Sequence, residues 1–427
     1  MAGALLIFAL TYALIAARRV GVLRLARPAA AIAGAAACVL AGILSPGEAY
    51  ARIDGDTLVL LLAMTLLGAH LDQAGFFEWG AALALRFART PQRLLTMLVF
   101  STGILSAFLV NDAVCFFVAP VLVALIRRMH LGTTLFLMGL ATSANMGSVM
   151  TIIGNPQVMI VGSLSQIPFH EYFFIMAPLG LACLALNRLL LPRFYPLERR
   201  AAAAWLRQAD SLEAPFDDAD ELPLGLRRTM AVKLQKGLLV RASVCWMLAF
   251  IGFFAGLNVA WCALGASALL LLIGGSDPRA ALRQVDWELL LFVAGLFVVV
   301  GALRHGGASS AMLEALRPWL GETPLGQSWA LALLTLAGCT IFGNIPFVLV
   351  ASEWMPEWSD PRLGWLILAM ASTFAGNLLL VSSMANGLVR DASAEIGRLR
   401  FRDHLRYGVV ITILTTLLGT LWLLAIL

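Results

Sequence analysis

Apolar runs long enough to span a bilayer recur along the chain, near residues 2–17, 28–44, 57–71, 131–162, 171–191, 237–256, 258–274, 287–303, 362–389 and 405–427. A hydrocarbon core about 30 Å thick needs roughly 20 mostly apolar helical residues, so these runs predict about ten crossings. Two more apolar stretches, 94–126 and 327–352, are broken at their centres by Asn111-Asp112 and by Gly343-Asn344-Ile345-Pro346. Broken backbone at membrane depth persists only where protein or a water-filled cavity surrounds it, which predicts two re-entrant hairpins. The crossings 131–162 and 362–389 are themselves interrupted by polar and small residues. One reads Thr142-Ser143-Ala144-Asn145-Met146-Gly147-Ser148 and then Gly154-Asn155-Pro156-Gln157; the other reads Phe374-Ala375-Gly376-Asn377 and then Ser382-Ser383-Met384-Ala385-Asn386.

The same order of elements occurs twice. Residues 54–79 and 286–311 each give an Asp, an apolar span and a Gly-containing start to an amphipathic stretch, followed by a broken hairpin and an Asn-interrupted crossing. Charge sets the direction. With the N-terminus outside, the cytoplasmic segments 17–27, 72–93, 127–130, 188–241, 275–286 and 390–406 hold all but four of the 30 Lys and Arg residues, the exceptions being Arg52, Arg304, Arg317 and Arg362. That bias matches the preference of basic residues for cytoplasmic loops, and both termini then face outward. Every crossing of the first half runs opposite to its counterpart in the second. The expected fold is an all-α integral membrane protein: an inverted-topology repeat of about ten transmembrane helices, plus two re-entrant hairpins with broken helices. The first repeat is 1–192, the second is 237–427, and 193–236 is a cytoplasmic linker carrying Arg199-Arg200, an acidic run (Asp217, Asp218, Asp220, Glu221) and Arg227-Arg228.

Composition agrees with a bilayer environment. Hydrophobic residues make up 60% of the chain and charged residues 13%, with a mean hydropathy of +0.87, against ~45–50% apolar residues in soluble domains. The first segment lacks the positive leading region of a secretory signal, and Arg18 and Arg19 follow it instead, which predicts a retained helix. Cys38, Cys115, Cys183, Cys245, Cys262 and Cys339 stand singly in apolar stretches without a CxxC or Cys/His cluster; this argues against a disulfide framework or structural zinc, and no metal or cofactor is expected. The net charge of +5 is accounted for by cytoplasmic loops and calls for no nucleic-acid partner.

Charged groups deep in a span are costly, so those present are functional candidates. Asp112 stands at the tip of the first hairpin beside Asn111, which suits a proton or cation site. Asn145 and Asn377 are placed where the interrupted crossings unwind, and an amide there both donates and accepts. Ser143, Ser148, Thr151, Ser382 and Ser383 add hydroxyls, Gly147, Gly154 and Gly376 let the backbone open, and Asn155 and Asn386 follow within each break. Freed carbonyls suit Na⁺ and half-helix N-termini suit an anion. Asn344 mirrors Asn111, but Ile345 stands where the first hairpin has Asp112, so proton coupling is assigned to the first half. His70, His130, His170 and His305 fall at span ends and His404 in a basic cytoplasmic stretch; Glu353 and Asp391 are read as surface groups. No Arg or Lys lies in either interrupted crossing before Arg390, leaving amides, hydroxyls and helix dipoles to compensate an anion. The spans lack the paired Asp, Ser/His or metal-ligand motifs that an intramembrane enzyme requires.

An amphipathic helix beginning LDQAGFFEW (Leu71 to Trp79), the hairpin VNDAVCFFVAPVLVAL (Val110 to Leu125) and SANMGSVMTIIGNPQVMIVGSL (Ser143 to Leu164) together resemble the ion transporter superfamily. That group includes arsenite permeases, the melanosomal P permease type, sodium/proton antiporters of the NhaD type and divalent anion/sodium symporters. The resemblance covers almost the whole chain. GFFEW and Asn111-Asp112 look like arsenite permeases; the Ser-Ala-Asn and Gly-Asn-Pro-Gln stretch is more similar to the P permease and anion-permease branches, with Ser-Ala-Asn in place of their Ser-Asn-Thr. It implies an ion-coupled secondary transporter of a small anion or oxyanion, working by alternating access in an inner membrane with Na⁺ or H⁺ as coupling ion. Residues 94–162 and 327–389 would form a transport domain on a scaffold able to dimerise. The residues it marks for substrate are Asn111, Asn145, Gly147, Ser148, Asn155, Asn344, Gly376, Asn377, Ser383 and Asn386, and for the coupling ion Asp112, Ser143, Asn145 and Asn377. Arsenite or antimonite efflux is the alternative, and a sodium/proton antiporter comes third.

Overall fold

The computed structural model describes residues 1–17, 19–20, 23–24, 27–77, 79–80, 90–128, 131–196, 234–275, 277–321, 323–397 and 399–427. The charged runs of the linker, Arg18 and His130 lie outside the described residues.

Helix starts follow a common grammar. A side chain that accepts from a backbone N–H of the first turn is followed by Pro, which has no N–H to lose there. Thr90, Asn155, Asp277, Thr323 and Asp360 cap in this way. Ser45 does so reciprocally with Glu48, and its two hydrogen bonds hold the Glu48 carboxyl below the usual range. In the first half the helices are α1 (Ala2–Ala17), α2 (Arg27–Leu40), α3 (Pro46–Arg52), α4 (Gly55–Gln73), α5 (Pro91–Phe108), α6 (Asn111–Arg128), α7 (Thr133–Gly147), α8 (Pro156–Ser165) and α9 (Phe169–Phe194). The second half holds α10 (Lys236–Phe254), α11 (Val259–Ile273), α12 (Pro278–Arg283), α13 (Trp287–His305), α14 (Ala308–Leu320), α15 (Pro324–Phe342), α16 (Asn344–Ser352), α17 (Pro361–Ala375), α18 (Met384–Ala392) and α19 (Phe401–Ile426). The only strands among the described residues are two-residue pieces, Arg19–Val20 and Leu23–Arg24, paired antiparallel. Six described helices are long and apolar enough to cross a membrane: α4, α9, α10, α13, α15 and α19.

The apolar stretches 94–126 and 327–352 become helix pairs. Helices α5 and α6 have 18 residues each, about 27 Å, and are joined through Leu109-Val110. Helices α15 and α16 are joined through Gly343, whose φ of +94° is a conformation that L side chains rarely adopt. Each interrupted crossing is two helices separated by residues 148–155 or 376–383. Asn377 therefore sits in its break as expected, whereas Asn145 lies inside α7, just before its end.

Packing partners correspond between the halves. Helix α2 packs on α13 as α11 packs on α4, α5 on α7 as α15 on α17, α6 on α18 as α16 on α8, and α7 on α9 as α17 on α19. Three of the four basic residues outside the predicted cytoplasmic segments meet acids: Arg304 to Glu353 at 3.2 Å, Arg317 to Glu314 at 3.0 Å and Arg362 to Glu171 at 2.5 Å. Glu353 is thereby half-buried rather than a free surface group, while Asp391 is exposed.

Gly147 has a different task from the one its sequence suggests. Its backbone is helical (φ −64°), and a Cβ there would sit 2.0 Å from the Gly103 carbonyl oxygen. The residue brings α7 against α5; it does not open the chain. Because the obstacle is backbone, no rotamer change relieves it. Gly147→Ala is expected to lower stability by about 1–3 kcal/mol or more, read as thermal unfolding in detergent; a variant melting with the parent would refute close packing at this point.

Candidate functional site

Asn145 is the centre of a buried amide network. Its Oδ1 accepts from Asn111 Nδ2 (3.0 Å) and Ser383 Oγ (3.1 Å), and its Nδ2 donates to Asn377 Oδ1 (2.9 Å) and Asn386 Oδ1 (3.3 Å). Two donors and two acceptor positions are the full capacity of an amide, so Asn145 has nothing left for a ligand. It ties the first hairpin and α7 to the second break and α18. Asn386 in turn donates to the carbonyls of Gly376 (2.7 Å) and Leu379 (3.2 Å), which occupies the Gly376 oxygen considered for Na⁺. Asn155 caps α8 at Val158 N (2.9 Å) and donates to Ser148 Oγ (2.8 Å) and Thr373 Oγ1 (3.2 Å), closing a second link between the two broken crossings. Thr151 donates to the Ala107 carbonyl. Ser143 turns instead to α9, where Asn187 Nδ2 donates to it at 2.9 Å and to Thr142 at 3.0 Å, and Tyr407 OH of α19 donates to Asn187 Oδ1 at 2.6 Å.

In front of this network lies a cavity of about 260 Å³. Among the described residues six helices begin at it: α2 at Arg27 and Pro28, α6 at Asn111 and Asp112, α8 at Pro156 and Gln157, α13 at Asp286 and Glu288, α16 at Asn344, and α18 at Ser383 and Met384. Each N-terminus brings the positive end of a helix dipole. At α18 and α13 a carboxylate answers that field: Asp112, from the first turn of α6, accepts from the Ala385 amide of α18, and Asp286 caps α13 by accepting from Leu289 N at 2.9 Å. Helix α16 has no side-chain cap bond, and in α18 the cap residue Ser383 makes none, the first-turn amide at Ala385 being held by Asp112 instead.

The structure thus brings Asn111, Asp112, Asn344 and Ser383 to the cavity wall and sets Asn145, Ser148, Asn155, Asn377 and Asn386 behind it. Gly147 and Ser143 serve helix packing. Asn111 Oδ1, Asn344 Oδ1 and Ser382 Oγ at the wall, and Asn377 Nδ2 behind it, are buried atoms without a hydrogen-bond partner among the described residues. Replacing Asn377 with Ala is expected to raise KM by about tenfold, the loss of one bond of ~1.5 kcal/mol, while the fold survives because Asn145 keeps Asn386 as acceptor. An unchanged transport KM would remove Asn377 from the site.

Several wall residues escaped the sequence reading. Arg27 and Asp286 belong to segments that charge counting assigned to cytoplasmic loops, and Glu288 to the start of the crossing 287–303; the convergence of α2 and α13 on the starts of α6 and α16 makes them site groups. Gln157 was legible as the residue after an Asn-Pro helix start. His404, expected in a cytoplasmic stretch, is fully buried, with Nε2 3.0 Å from the Asn377 carbonyl. Gly408, one turn on, has that carbonyl where a Cβ would be, at 2.3 Å, so α19 closes on the second break. His70 is likewise buried, bonded to the Leu66 carbonyl at 2.7 Å.

Residues 12–375 match the model of the CitMHS family, described as citrate transporter. The chain belongs to the citrate transporter family. Relatives of this family member include the "Putative transporter arsB" of Dictyostelium discoideum, 25% identical over 93% of this chain and 87% of that protein. The "Silicon efflux transporter LSI3" of Oryza sativa subsp. japonica is 27% identical over 93% of this chain and 92% of its own length. Among solved structures the Alcanivorax borkumensis YdaH transporter matches with a TM-score of 0.52 at 15% identity, covering 99% of this chain and 95% of that one, a likeness of fold alone. The citrate transporter family and these names make the chain an integral membrane transporter of the wider anion-permease superfamily, and identify it with transporters rather than enzymes.

Proposed function

We propose that this chain is an ion-coupled secondary transporter that carries a small anion or oxyanion by alternating access. The observation that carries the reading is the convergence of six helix N-termini on one cavity, one of them, α16, without a side-chain cap. A cluster of oriented amides compensates negative charge without a dedicated lysine. The paired packing of the two halves supports an inverted repeat, with the 94–126 and 327–352 pairs as re-entrant hairpins. Residues 94–162 and 327–389 then carry the substrate, and the remaining spans form a scaffold that can dimerise. Both termini face outward from an inner membrane, and the cavity opens toward the basic, cytoplasmic side. Asp112, at the wall and within electrostatic reach of Asp286, is the group that exchanges the coupling ion, H⁺ or Na⁺.

Arsenite or antimonite efflux is the second reading. It is favoured by the arsB-named relative and by a wall with three carboxylates to one arginine, which suits an uncharged acid better than a multiply charged one. The test is charge movement on solid-supported membranes carrying reconstituted protein, with arsenite, phosphate, sulfate, succinate and citrate added in turn, with and without Na⁺ and across pH. A saturable current for one of them that needs Na⁺ or a proton gradient supports the transporter reading. Silence for all of them, with current on Na⁺ addition alone, replaces it with an antiporter.

A further inference from the structure

We propose that Tyr12 is a positioning residue of the transport cycle: its hydroxyl latches the second hairpin tip to α1 in this conformation, and the bond must break for the site to turn to the other face of the membrane. A latch of this kind presupposes the transporter reading above and deepens it. A phenol buried in an apolar span needs a partner. Tyr12 is 4% exposed, and its hydroxyl donates to the Pro346 carbonyl at 2.8 Å, 334 residues on. Pro346 stands in the first turn of α16 and, with Gly343, Asn344 and Ile345, lines the cavity of about 260 Å³. Ile15, one turn on from Tyr12, reaches the same wall. The Tyr12 ring meets Phe342, the last residue of α15, edge-on at 5.7 Å between centroids.

The first hairpin tip shows what ring packing provides by itself. Phe108, the last residue of α5, meets Phe250 of α10 edge-on at 5.3 Å, and α10 packs on α11 as α1 packs on α2. Phenylalanine has no donor, so the hydroxyl is an addition at the second tip. Helix α1 lies outside the body built around the broken crossings, whose buried hydrogen bonds run to α9 and α19 through Asn187, Tyr407 and His404. The Tyr12 bond therefore joins that body to the frame. Another joins them at the end of α8, where Ser163 Oγ donates to Asp54 Oδ1 at 2.6 Å, beside a second cavity of about 350 Å³ lined by Ser163, Leu60 and Ile152. Helix α8 has 10 residues, about 15 Å, and runs from one cavity to the other. Movement of the body against α1 and α4 would close the first cavity and widen the second. A contact made in only one arrangement biases the equilibrium by its own free energy.

The experiment is maleimide labelling of the full chain in nanodiscs, followed site by site by peptide mass spectrometry. Leu60→Cys is the reporter: Leu60 is 2% exposed and lines the second cavity, so the thiol reacts when α8 draws away from α4. Tyr12→Phe keeps the ring and removes the hydroxyl. It is expected to raise the Leu60→Cys labelling rate about fivefold, the population shift for one hydrogen bond, while Cys183, fully buried in α9, stays unreactive. Ser163→Ala leaves Asp54 capping Thr57 N and removes the other bond between the two bodies, so a raised rate there shows that the reporter responds. An unchanged rate in Tyr12→Phe overturns the latch, and so does a rise that Cys183 shares, which marks general loosening. Both results leave the transporter reading standing, because that reading fails on silence in the current assay above, which labelling does not use.

Discussion

Replacing Asn145 with Leu is expected to abolish transport and lower stability by at least about 3 kcal/mol, visible as an earlier thermal transition in detergent and an absent transport current. Leucine matches asparagine in branching and in number of side-chain heavy atoms, so the substitution removes the hydrogen bonds without opening a cavity. Four bonds disappear at once, and the groups they served have no other partner among the described residues: Asn111 Nδ2, Asn377 Oδ1, Asn386 Oδ1 and Ser383 Oγ. Three of those residues are 4% exposed or less, where water cannot replace the lost partner. A buried donor or acceptor left empty costs about 1–3 kcal/mol, and networks of this kind lose more than pairwise deletions suggest. The contrast with Asn377→Ala separates the hub from one of its partners: the hub variant loses four bonds and moves melting and transport together, while Asn377→Ala loses one and is expected to move KM with a smaller shift in melting. A stable, active Asn145→Leu protein would show that the two broken crossings are held by apolar packing.

Asp112→Asn is expected to remove the pH dependence of transport and the ability to accumulate substrate against its gradient, while exchange of substrate for substrate continues. Asparagine keeps an oxygen that can accept from the Ala385 amide, so the start of α6 holds its place. It cannot ionise, and it stands permanently for the protonated acid. Within the membrane a carboxylate is too costly to keep without a task, and Asp112 is the one acid in the sequence placed with assurance at a hairpin tip. The measurement is uptake driven by an imposed proton gradient, set beside counterflow without one. Retained proton-driven accumulation would take Asp112 out of coupling and leave Asp286, the next carboxylate along the wall, as the group to test.

Much of the architecture was legible because a membrane imposes it on sequence. Spans must be apolar and must satisfy their own backbone, so interruptions are written as amides, small residues and proline, and Asn155-Pro156 and Gly343-Asn344 mark helix starts where the structure has them. The hub was legible in composition and not in geometry. Asn145 and Asn377 look alike as Asn-containing breaks 232 residues apart, yet one is helical and saturated while the other lies in the break with a spare donor. Residues with tight contacts in the structure read differently in the sequence: Gly147 as a residue that lets the backbone open, Ser143 as a coupling-ion residue, His404 as part of a basic cytoplasmic stretch. Their partners, Gly103, Asn187 and the Asn377 carbonyl, stand from 27 to 44 residues away in the chain, beyond any local pattern.

The sequence alone determined that this is an all-helical integral membrane transporter with interrupted apolar segments, because hydrophobic period and helix punctuation are local properties. Only the tertiary structure decided which polar groups meet. Six helix starts scattered from Arg27 to Met384 become one cavity wall through the packing of α2 on α13 and of α6 on α18. A hydrogen bond within about 3 Å depends on the position of whole helices, which hundreds of apolar contacts set together and no motif encodes.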